Sequence, residues 1–258
     1  MADRTESSRP SVEEIYARVR EDASDELERT PSALAFSGLF AGFTIGASAL
    51  AYATALVFLD GGSALFVAAL VYPIGYIGAI LGRAQLFTEN TLFPVLLSMG
   101  DRSYVRGTAR LWGIVIVANL AGAVLFALVA VKTSALPEGV PERIRSLGDE
   151  AVSRDVWQTL WAAVLAGWLL ALVAWLVEAV NSPLGAFVVV WALTLLVGLA
   201  KLDHSVATAV EAWAAVLEGE TDFWPALAWQ GTTILGNALG GVFIVTVLNY
   251  AQVRSGKD

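Results

Sequence analysis

The sequence predicts an all-α integral membrane protein in which six transmembrane helices form two inverted three-helix repeats, with helices two and five broken. Three observations predict this fold class: an apolar composition, apolar segments that recur at the length of a membrane crossing, and a similarity between the two halves of the chain. Of the 258 residues, 57% are hydrophobic and only 16% are charged. The mean hydropathy of +0.65 exceeds what a soluble domain of this size needs to fill its core.

Six apolar segments have lengths near the ~20 residues that cross a bilayer core as a helix. They cover residues 33–59, 64–82, 110–131, 156–180, 184–200 and 225–250, of which the fifth is short. We therefore expect a transmembrane domain over residues 33–252, preceded by an N-terminal segment at 1–32 and followed by a tail at 253–258. The N-terminal segment has no apolar core of signal-peptide type, so the first span is expected to direct its own insertion.

Residues 11–29 are predicted to form a charged surface helix ahead of the first span. Ser11 and Glu14 have the spacing of a capping box, and Ile15, Val19 and Leu27 give a thin apolar stripe. Such a helix packs on the domain as a solvated element or binds a partner, and the pattern favours the first reading.

The distribution of basic residues predicts the orientation in the membrane. Ten lie in three segments expected on one side, namely Arg4, Arg9, Arg18, Arg20, Arg29, Arg102, Arg106, Arg110, Arg254 and Lys257. The opposite side has Lys132, Arg143, Arg145 and Arg154, in one long loop that also carries Glu138, Glu142, Asp149, Glu150 and Asp155. Because basic residues are enriched on the cytoplasmic side, both termini are expected in the cytoplasm, with the chain in the cell (inner) membrane.

The two halves of the chain share three landmarks in the same order. GRAQLFT at 82–88 matches GLAKLDH at 198–204 in its Gly, Ala and Leu, and ANLAGA matches GNALGG in an Asn and a Gly three apart. Earlier in each half stands an Ala-Gly-aromatic step, at 41–43 and 166–168. The predicted repeats cover 33–131 and 156–252. Three spans per repeat is an odd number, so the second copy must be inverted, as in many transporters.

Polar residues gather where the second and fifth spans end their crossing. They are Arg83, Gln85, Thr88, Glu89 and Asn90 in the first half, and Lys201, Asp203, His204 and Ser205 in the second. Each span therefore resembles two half-helices joined by an irregular turn, which survives at membrane depth only when it is buried in protein or lines a cavity. We expect the two breaks, centred on Thr88 and His204, to meet. Half-helix N-termini, Arg83 and Lys201 would attract an anion there.

Alternative roles exist for several of these residues. Arg83 can pair with Glu89, and Lys201 with Asp203, as structural ion pairs that hold the turns. His204 can be a buried hydrogen-bond donor, although its place in a helix break favours a role in the pore, where its unperturbed pKa of ~6.5 predicts control of pH dependence. Asn119 and Asn237 are candidates for pore contact or for bonds between helices.

Five stretches resemble the formate/nitrite transporter family: AGFTIG at 41–46, LFTENTL at 86–92, ANLAGAVLF at 118–126, LDHS at 202–205 and ILGNALGG at 234–241. The resemblance spans residues 33–252 and implies six spans, a homopentamer and one pore in each protomer. It also implies a threonine in the break of span two and a central histidine in span five, positions that Thr88 and His204 occupy. Asp203 stands where the family commonly has a glutamate.

By the same resemblance, the central histidine lies between two apolar constrictions and holds or protonates a weak-acid anion. Leu86, Phe87 and Leu202 are the candidates for these constrictions. Arg83 and Lys201 stand where family members usually have small residues, so the resemblance does not by itself identify formate or nitrite as the substrate.

The predicted function is a channel or proton-coupled transporter for a small monovalent anion or its weak acid, without a cofactor or a metal. Its expected partners are the lipid bilayer, the anion and further copies of the chain, with no nucleic acid. Two alternatives keep the fold: a channel for a neutral small solute, although the Asn-Pro-Ala pair of such channels is missing, and a non-conducting structural or sensory protein. A membrane enzyme is disfavoured because the chain has one histidine, no cysteine and no G-x-S-x-G or H-E-x-x-H motif.

Overall fold

The computed structural model describes residues 10–255, and within that range all regular structure is helical. The α-helices are Val12–Glu28 (α1), Pro31–Phe58 (α2), Gly62–Val71 (α3), Ile74–Leu81 (α4), Phe93–Gly100 (α5), Val105–Lys132 (α6), Val140–Val152 (α7), Val156–Ala179 (α8), Pro183–Leu199 (α9), Ala207–Glu218 (α10), Phe223–Leu239 (α11) and Leu248–Ser255 (α12). A π-helical stretch, Gly240–Val247, joins α11 to α12. Three of the basic residues used above to predict orientation, Arg4, Arg9 and Lys257, lie outside the described residues.

Five helical stretches are long and apolar enough to cross a membrane: Pro31–Phe58, Gly62–Leu81, Arg102–Lys132, Val156–Ala179 and Phe223–Ser255. A sixth apolar helix, Pro183–Leu199, is shorter. Large side chains such as Phe36, Leu184 and Trp224 lie exposed on the outer surface, where a lipid environment removes the cost of apolar exposure. The prediction of an all-α, multi-pass membrane protein is confirmed at this level.

Helix α1 lies against the rest of the chain. It begins with a complete capping box, in which Ser11 and Glu14 each bond the other's backbone N–H. Val19 is fully buried in a cluster with α5 and α8, and the Arg18 guanidinium donates to the carbonyl oxygen of Glu178 at 2.8 Å. These contacts place the middle of α1 against α5 and the C-terminal end of α8.

Two pairs of helices pack through a glycine and an asparagine. A Cβ added to Gly42 in α2 would overlap the backbone of Asn119 in α6, and a Cβ added to Gly167 in α8 would overlap the backbone of Asn237 in α11. Glycine is needed at both positions because the two backbones touch. The matching steps noted in the sequence are therefore matching contacts in the structure.

The stretch expected as one long loop between the third and fourth spans contains a helix. Helix α7 buries Val140, Ile144, Leu147 and Ala151, whose spacing of four, three and four residues is that of an amphipathic helix. The many charges of this stretch occupy the opposite face and hid the periodicity. Helix α7 packs against α10 and so brings charged residues to the end of α9.

Two segments, residues 82–92 and 200–206, interrupt the α-helical structure between α4 and α5 and between α9 and α10. They contain the positive-φ non-glycine residues of the described chain, Arg83 at 53° and Lys201 at 48°. Each terminates its helix in a Schellman arrangement, in which a left-handed residue lets the next N–H reach back to a carbonyl five positions earlier. The closing bonds are Ala84 N to Ala79 O at 2.9 Å and Leu202 N to Val197 O at 3.0 Å.

Candidate functional site

The segments 82–92 and 200–206 meet inside the protein through Thr88 and His204. The hydroxyl of Thr88 lies 3.0 Å from Nε2 of His204, and neither side chain is exposed. These two residues were predicted from the sequence as the centres of the two breaks. Their contact joins positions that lie 116 residues apart in the chain.

The N-terminus of α10 determines which ring nitrogen of His204 carries the proton. Nδ1 accepts hydrogen bonds from the backbone N–H groups of Ala207 at 3.0 Å and Val206 at 3.3 Å, so the imidazole acts as the cap of α10. In the neutral ring the proton is then on Nε2, which donates to Thr88. A proton on Nδ1 would break both capping bonds. His204 therefore presents a hydrogen-bond donor to its surroundings.

Asn119 and Asn237 hold the two segments in place by the same three hydrogen bonds. The Asn119 carbonyl accepts from the N–H of Phe87 at 2.9 Å, and its amide donates to the carbonyl oxygens of Gly38 and Gln85 at 2.8 and 2.7 Å. The corresponding bonds of Asn237 involve the N–H of Ser205 at 2.8 Å and the carbonyl oxygens of Ala163 and Asp203 at 2.7 and 3.0 Å. Both side chains are fully buried, so they satisfy backbone groups of the segments 82–92 and 200–206 and tie these segments to α2 and α8.

On one side of the Thr88–His204 pair lies a cavity of about 370 Å³, named here the α1-side cavity. Its lining includes Asp22, Glu26, Arg83, Leu86, Glu89 and Glu178. Arg83 does not pair with Glu89, as the sequence had suggested, but with Asp22 of α1, at 3.5 Å. The left-handed backbone at Arg83 turns its side chain outwards, where it is 81% exposed. Asn90 also lines this cavity, and its amide bonds Gln85 and Leu86 within the turn.

On the other side lies a smaller cavity of about 40 Å³, named here the α7-side cavity. Its lining includes Tyr52, Tyr72, Glu150, Lys201, Leu202 and Glu211. The suggested Lys201–Asp203 pair is absent here as well. Lys201 pairs with Glu150 of α7 at 2.8 Å, while Asp203, which is fully buried, pairs with Arg154 at 3.0 Å. The hydrogen bond from Lys201 lowers the pKa of the Glu150 carboxyl.

The candidate constriction residues divide into two groups. Leu86 lines the α1-side cavity and Leu202 lines the α7-side cavity, and each precedes its member of the central pair, Thr88 or His204, by two residues. Phe87 lines neither of them. Its ring packs against Trp112, with centroids 5.4 Å apart, in a cluster under α2 and α6, because the alternation along the segment turns Phe87 away from Leu86.

Four residues near the pair were missed from the sequence: Tyr72, Tyr76, Arg154 and Glu211. The Tyr76 ring lies edge-on to His204, with centroids 5.3 Å apart, and its hydroxyl is 3.4 Å from that of Tyr72. Two tyrosines four apart in an apolar span were a detectable signal, since they share a helix face. So was Glu211, an acidic residue within an apolar helix. Arg154 carried no signal beyond its charge. Among residues 10–255, no group of three or more His, Cys, Asp or Glu side chains is arranged to hold a metal ion.

Comparison with known proteins agrees with the fold and with the motifs. A family model described as formate/nitrite transporter matches residues 13–251. The chain is 32% identical over 246 residues to the inner membrane protein YfdC of Escherichia coli (strain K12), an alignment that covers 93% of this chain and 78% of that protein.

Two solved structures share the fold. One, described as an FNT family ion channel, superposes with a TM-score of 0.77 at 21% identity and covers 92% of this chain and 98% of that chain. The other, described as a pentameric formate channel with formate bound, has a TM-score of 0.72 at 16% identity and covers 91% and 99% of the two chains. The match of the family model along almost the whole chain, together with the identity to YfdC, shows that this protein belongs to the formate/nitrite transporter family.

Proposed function

We propose that this protein is a channel or proton-coupled transporter that carries a small monovalent anion, or its weak acid, across the cell membrane. The observation that carries the proposal is the buried contact between Thr88 and His204, at the point where segments 82–92 and 200–206 meet, each of which also lines a cavity. A similar fold holds formate in the pentameric channel described above. Transport, and no catalytic step, is the activity proposed.

The proposed route runs from the α1-side cavity past Leu86 to Thr88 and His204, and then past Leu202 into the α7-side cavity. The leucines exclude water, so that the permeant leaves its hydration shell at the centre. There Nε2–H of His204 and the hydroxyl of Thr88 offer it hydrogen bonds, which are stronger in an apolar surrounding than in water. His204 acts as a binding group in this scheme, since its Nδ1 is occupied by the cap of α10.

The proposed architecture is six spans in two inverted repeats, at 33–131 and 156–252, with spans two and five interrupted. Three paired observations support it: the left-handed residues Arg83 and Lys201, the hydrogen bonds of Asn119 and Asn237, and the glycine contacts of α2 with α6 and of α8 with α11. Chance similarity between apolar helices would not reproduce the same bonds in the same order.

We further propose that the α1 side, with segments 1–32 and 253–258, faces the cytoplasm, and that the membrane is an inner membrane. The excess of basic residues on that side supports the orientation, and the name of the relative YfdC supports the location. The proposed assembly is a homopentamer, as in the formate channel of similar fold.

Flux into proteoliposomes tests the proposed function. Purified protein is reconstituted, and uptake is measured separately for formate, nitrite, acetate, lactate, hydrosulfide and chloride. We expect at least one weak-acid anion to be carried, and we expect the His204→Leu variant, which has neither donor nor cap, to carry it at a rate about 10- to 100-fold lower, because a buried hydrogen bond lost without replacement costs roughly 1–3 kcal/mol.

Empty liposomes and the Glu142→Gln variant, changed at a side chain that is 71% exposed on α7, serve as controls. Osmotic swelling in glycerol or urea without anion flux would instead indicate a channel for neutral solutes. No flux of any solute by a folded, assembled protein would mean that the chain is a non-conducting membrane protein.

A further inference from the structure

Glu211 carries a carboxyl group inside the α7-side cavity without a cationic partner among the described residues. Its side chain is 9% exposed, and it lines the cavity from α10. The two basic residues of the same cavity are already engaged, Lys201 with Glu150 at 2.8 Å and Arg154 with Asp203 at 3.0 Å. Across residues 10–255, neither an ion pair nor a hydrogen bond is formed by the Glu211 carboxyl group.

A buried carboxyl group of this kind is costly to keep, which argues against a purely structural role. Moving an ionised carboxylate out of water without a partner costs on the order of several kcal/mol of free energy. Helix α7 nevertheless packs directly on this position, because a Cβ at Gly148 would overlap the carbonyl oxygen of Glu211. The fold therefore holds Glu211 at the edge of the cavity and does not release it to solvent.

The cavity of Glu211 is lined by titratable or charged groups from several elements around α10. Glu150 comes from α7, Arg154 from the link to α8, Lys201 and Asp203 from the segment after α9, Tyr52 from α2 and Tyr72 from the end of α3. The Tyr72 hydroxyl continues to that of Tyr76, whose ring lies against His204. Hydroxyl groups thus extend from the cavity of Glu211 towards the central pair.

The dimensions of the route favour a neutral permeant between this cavity and His204. A cavity of about 40 Å³ has room for only about three water molecules at the ~10–15 Å³ that each needs, so a small anion that enters it loses most of its hydration shell. Beyond it stands Leu202, which offers no charge. Passing this point as an ion is far more costly than passing as the neutral acid.

Resting on the proposed function, we propose that Glu211, as a carboxylic acid, donates the proton that converts the weak-acid anion to its neutral form in the α7-side cavity. The O–H bond of Glu211 breaks as an O–H or S–H bond forms on the anion, leaving the Glu211 carboxylate and the neutral acid. The carboxylate then takes a proton from hydronium in the solution at the mouth of the cavity, which becomes water. No redox partner is needed. The proposal assigns the proton exchange to Glu211 and the recognition of the permeant to His204.

The test compares the wild-type protein with Glu211→Gln, which keeps the size and hydrogen bonding of the side chain but cannot give up a proton. Initial uptake of formate and of nitrite is measured in vesicles while the pH is varied separately on each face. In the wild type, uptake should rise as the pH on the α7 face falls. In Glu211→Gln, uptake at neutral pH should fall at least about tenfold and lose its dependence on that pH, whereas Glu142→Gln, which changes an exposed carboxyl group on α7, should keep both.

The outcomes separate this proposal from the proposed function. A wild-type protein that carries neither formate nor nitrite nor any other anion of the panel defeats the proposed function itself. A wild-type protein that carries them, with a Glu211→Gln variant that keeps the rate and pH profile, defeats only the role of Glu211. Uptake of ammonium that depends on Glu211 would also overturn the proposal, because the carboxylate would then be a cation site.

A second measurement uses the wild-type protein alone, in case the variant does not assemble. Dicyclohexylcarbodiimide modifies protonated carboxyl groups in apolar surroundings, and mass spectrometry locates the adduct. We expect modification at Glu211 that increases as the pH falls and that inhibits formate uptake in parallel. An uninhibited protein with Glu211 modified, or inhibition with adducts only at other carboxyl groups, would contradict the assignment.

Discussion

Thr88 and His204 occupy the centre of the protein because the polypeptide brings two distant turns together there. Thr88 is held by its own turn, in which its carbonyl oxygen accepts from the hydroxyl of Thr91 at 2.7 Å. His204 is held by the N-terminus of α10. Both residues were identified from the sequence, first as the centres of the two expected helix breaks and then through the family resemblance, but their mutual hydrogen bond and the ring tautomer depend on the backbone around them.

Replacing His204 by Asn separates binding by this residue from titration of its ring. Asn keeps a donor and an acceptor that can cap α10, but it cannot gain a proton near neutral pH. We expect formate or nitrite flux within about tenfold of the wild type, corresponding to about 1 kcal/mol of weakened hydrogen bonding, with the pH profile unchanged. The measurement is proteoliposome flux from pH 5 to 8, a range taken around the ~6.5 unperturbed pKa of histidine. A His204→Asn protein that conducts but loses its pH response would return the proton exchange to the histidine ring.

Replacing Asn237 by Ala tests whether the asparagines act as supports of the interrupted helices. The change leaves the N–H of Ser205 and the carbonyl oxygens of Ala163 and Asp203 without their buried partners. At about 1–3 kcal/mol for each unsatisfied group, the protein should unfold at a clearly lower temperature, and flux should fall as the segment loosens. The control is Asn249→Ala, whose amide bonds only a carbonyl oxygen one turn earlier in its own helix. Equal thermal stability of the two variants would show that Asn237 is dispensable.

Helices α4 and α9 end in the same way, each followed by a left-handed residue, Arg83 or Lys201. A non-glycine residue with positive φ is uncommon because that backbone conformation is strained. Arg83 and Lys201 each adopt it at the end of a helix, beside a cavity. The long side chains leave the membrane segment and pair with Asp22 and Glu150 on two separate surface helices. These carboxylates partly offset the two positive charges, which limits the attraction of Arg83 and Lys201 for an anion.

Changing Arg83 or Lys201 to Gln is therefore expected to alter anion over cation preference little. A structural effect of Lys201→Gln should still be measurable. Because Lys201 lowers the pKa of Glu150 below its ordinary value of 4.5, the pair stabilises the folded state above that pH, and this contribution is lost as the pH falls through the lowered value. For a pair at this exposure we expect less than about 1 kcal/mol.

Thermal unfolding of wild type and Lys201→Gln measures this contribution. The midpoints should differ slightly at pH 7 and converge in the acidic range below the ordinary carboxyl pKa. A loss of anion selectivity in the flux assay at neutral pH would show instead that Lys201 faces the permeant directly.

The assembled protein presents an apolar outer surface that has to be covered by lipid or by further copies of the chain. Phe36 at 74% exposure, together with Ile114 and Val117, lines an apolar groove between α2 and α6. In the proposed homopentamer each protomer keeps its own route, since both cavities and the central pair are built from one chain.

Native mass spectrometry in a mild detergent tests the assembly. The expected species has five times the 27.3 kDa mass of the chain. A stable monomer that still conducts in proteoliposomes would contradict the pentamer but leave the route within the protomer intact. Any other oligomer would contradict the assembly proposed from the structural neighbour.

The sequence by itself determined the class of the protein, its family and the two central residues. Apolar length, helix capping by Ser11 and the motifs around Thr88 and His204 are local patterns, and local patterns survive without knowledge of the fold. The spacing of the buried residues of α7 was also a local pattern typical of an amphipathic helix, but the many charged residues among them made it hard to recognise.

Only the tertiary structure decided which partners the charged and amide side chains take. Lys201 meets Glu150 across 51 positions, Arg154 meets Asp203 across 49, and the asparagines bond backbone groups more than 30 positions away. From the sequence, the nearest opposite charges were the natural partners, Glu89 for Arg83 and Asp203 for Lys201. The left-handed turns direct the basic side chains outwards and leave Asp203 inside. The ion pairs therefore follow from the direction of the backbone, which cannot be read from the spacing of charged residues along the chain. The same packing left Glu211 without a cationic partner among the described residues, because both basic residues of its cavity pair with other carboxylates.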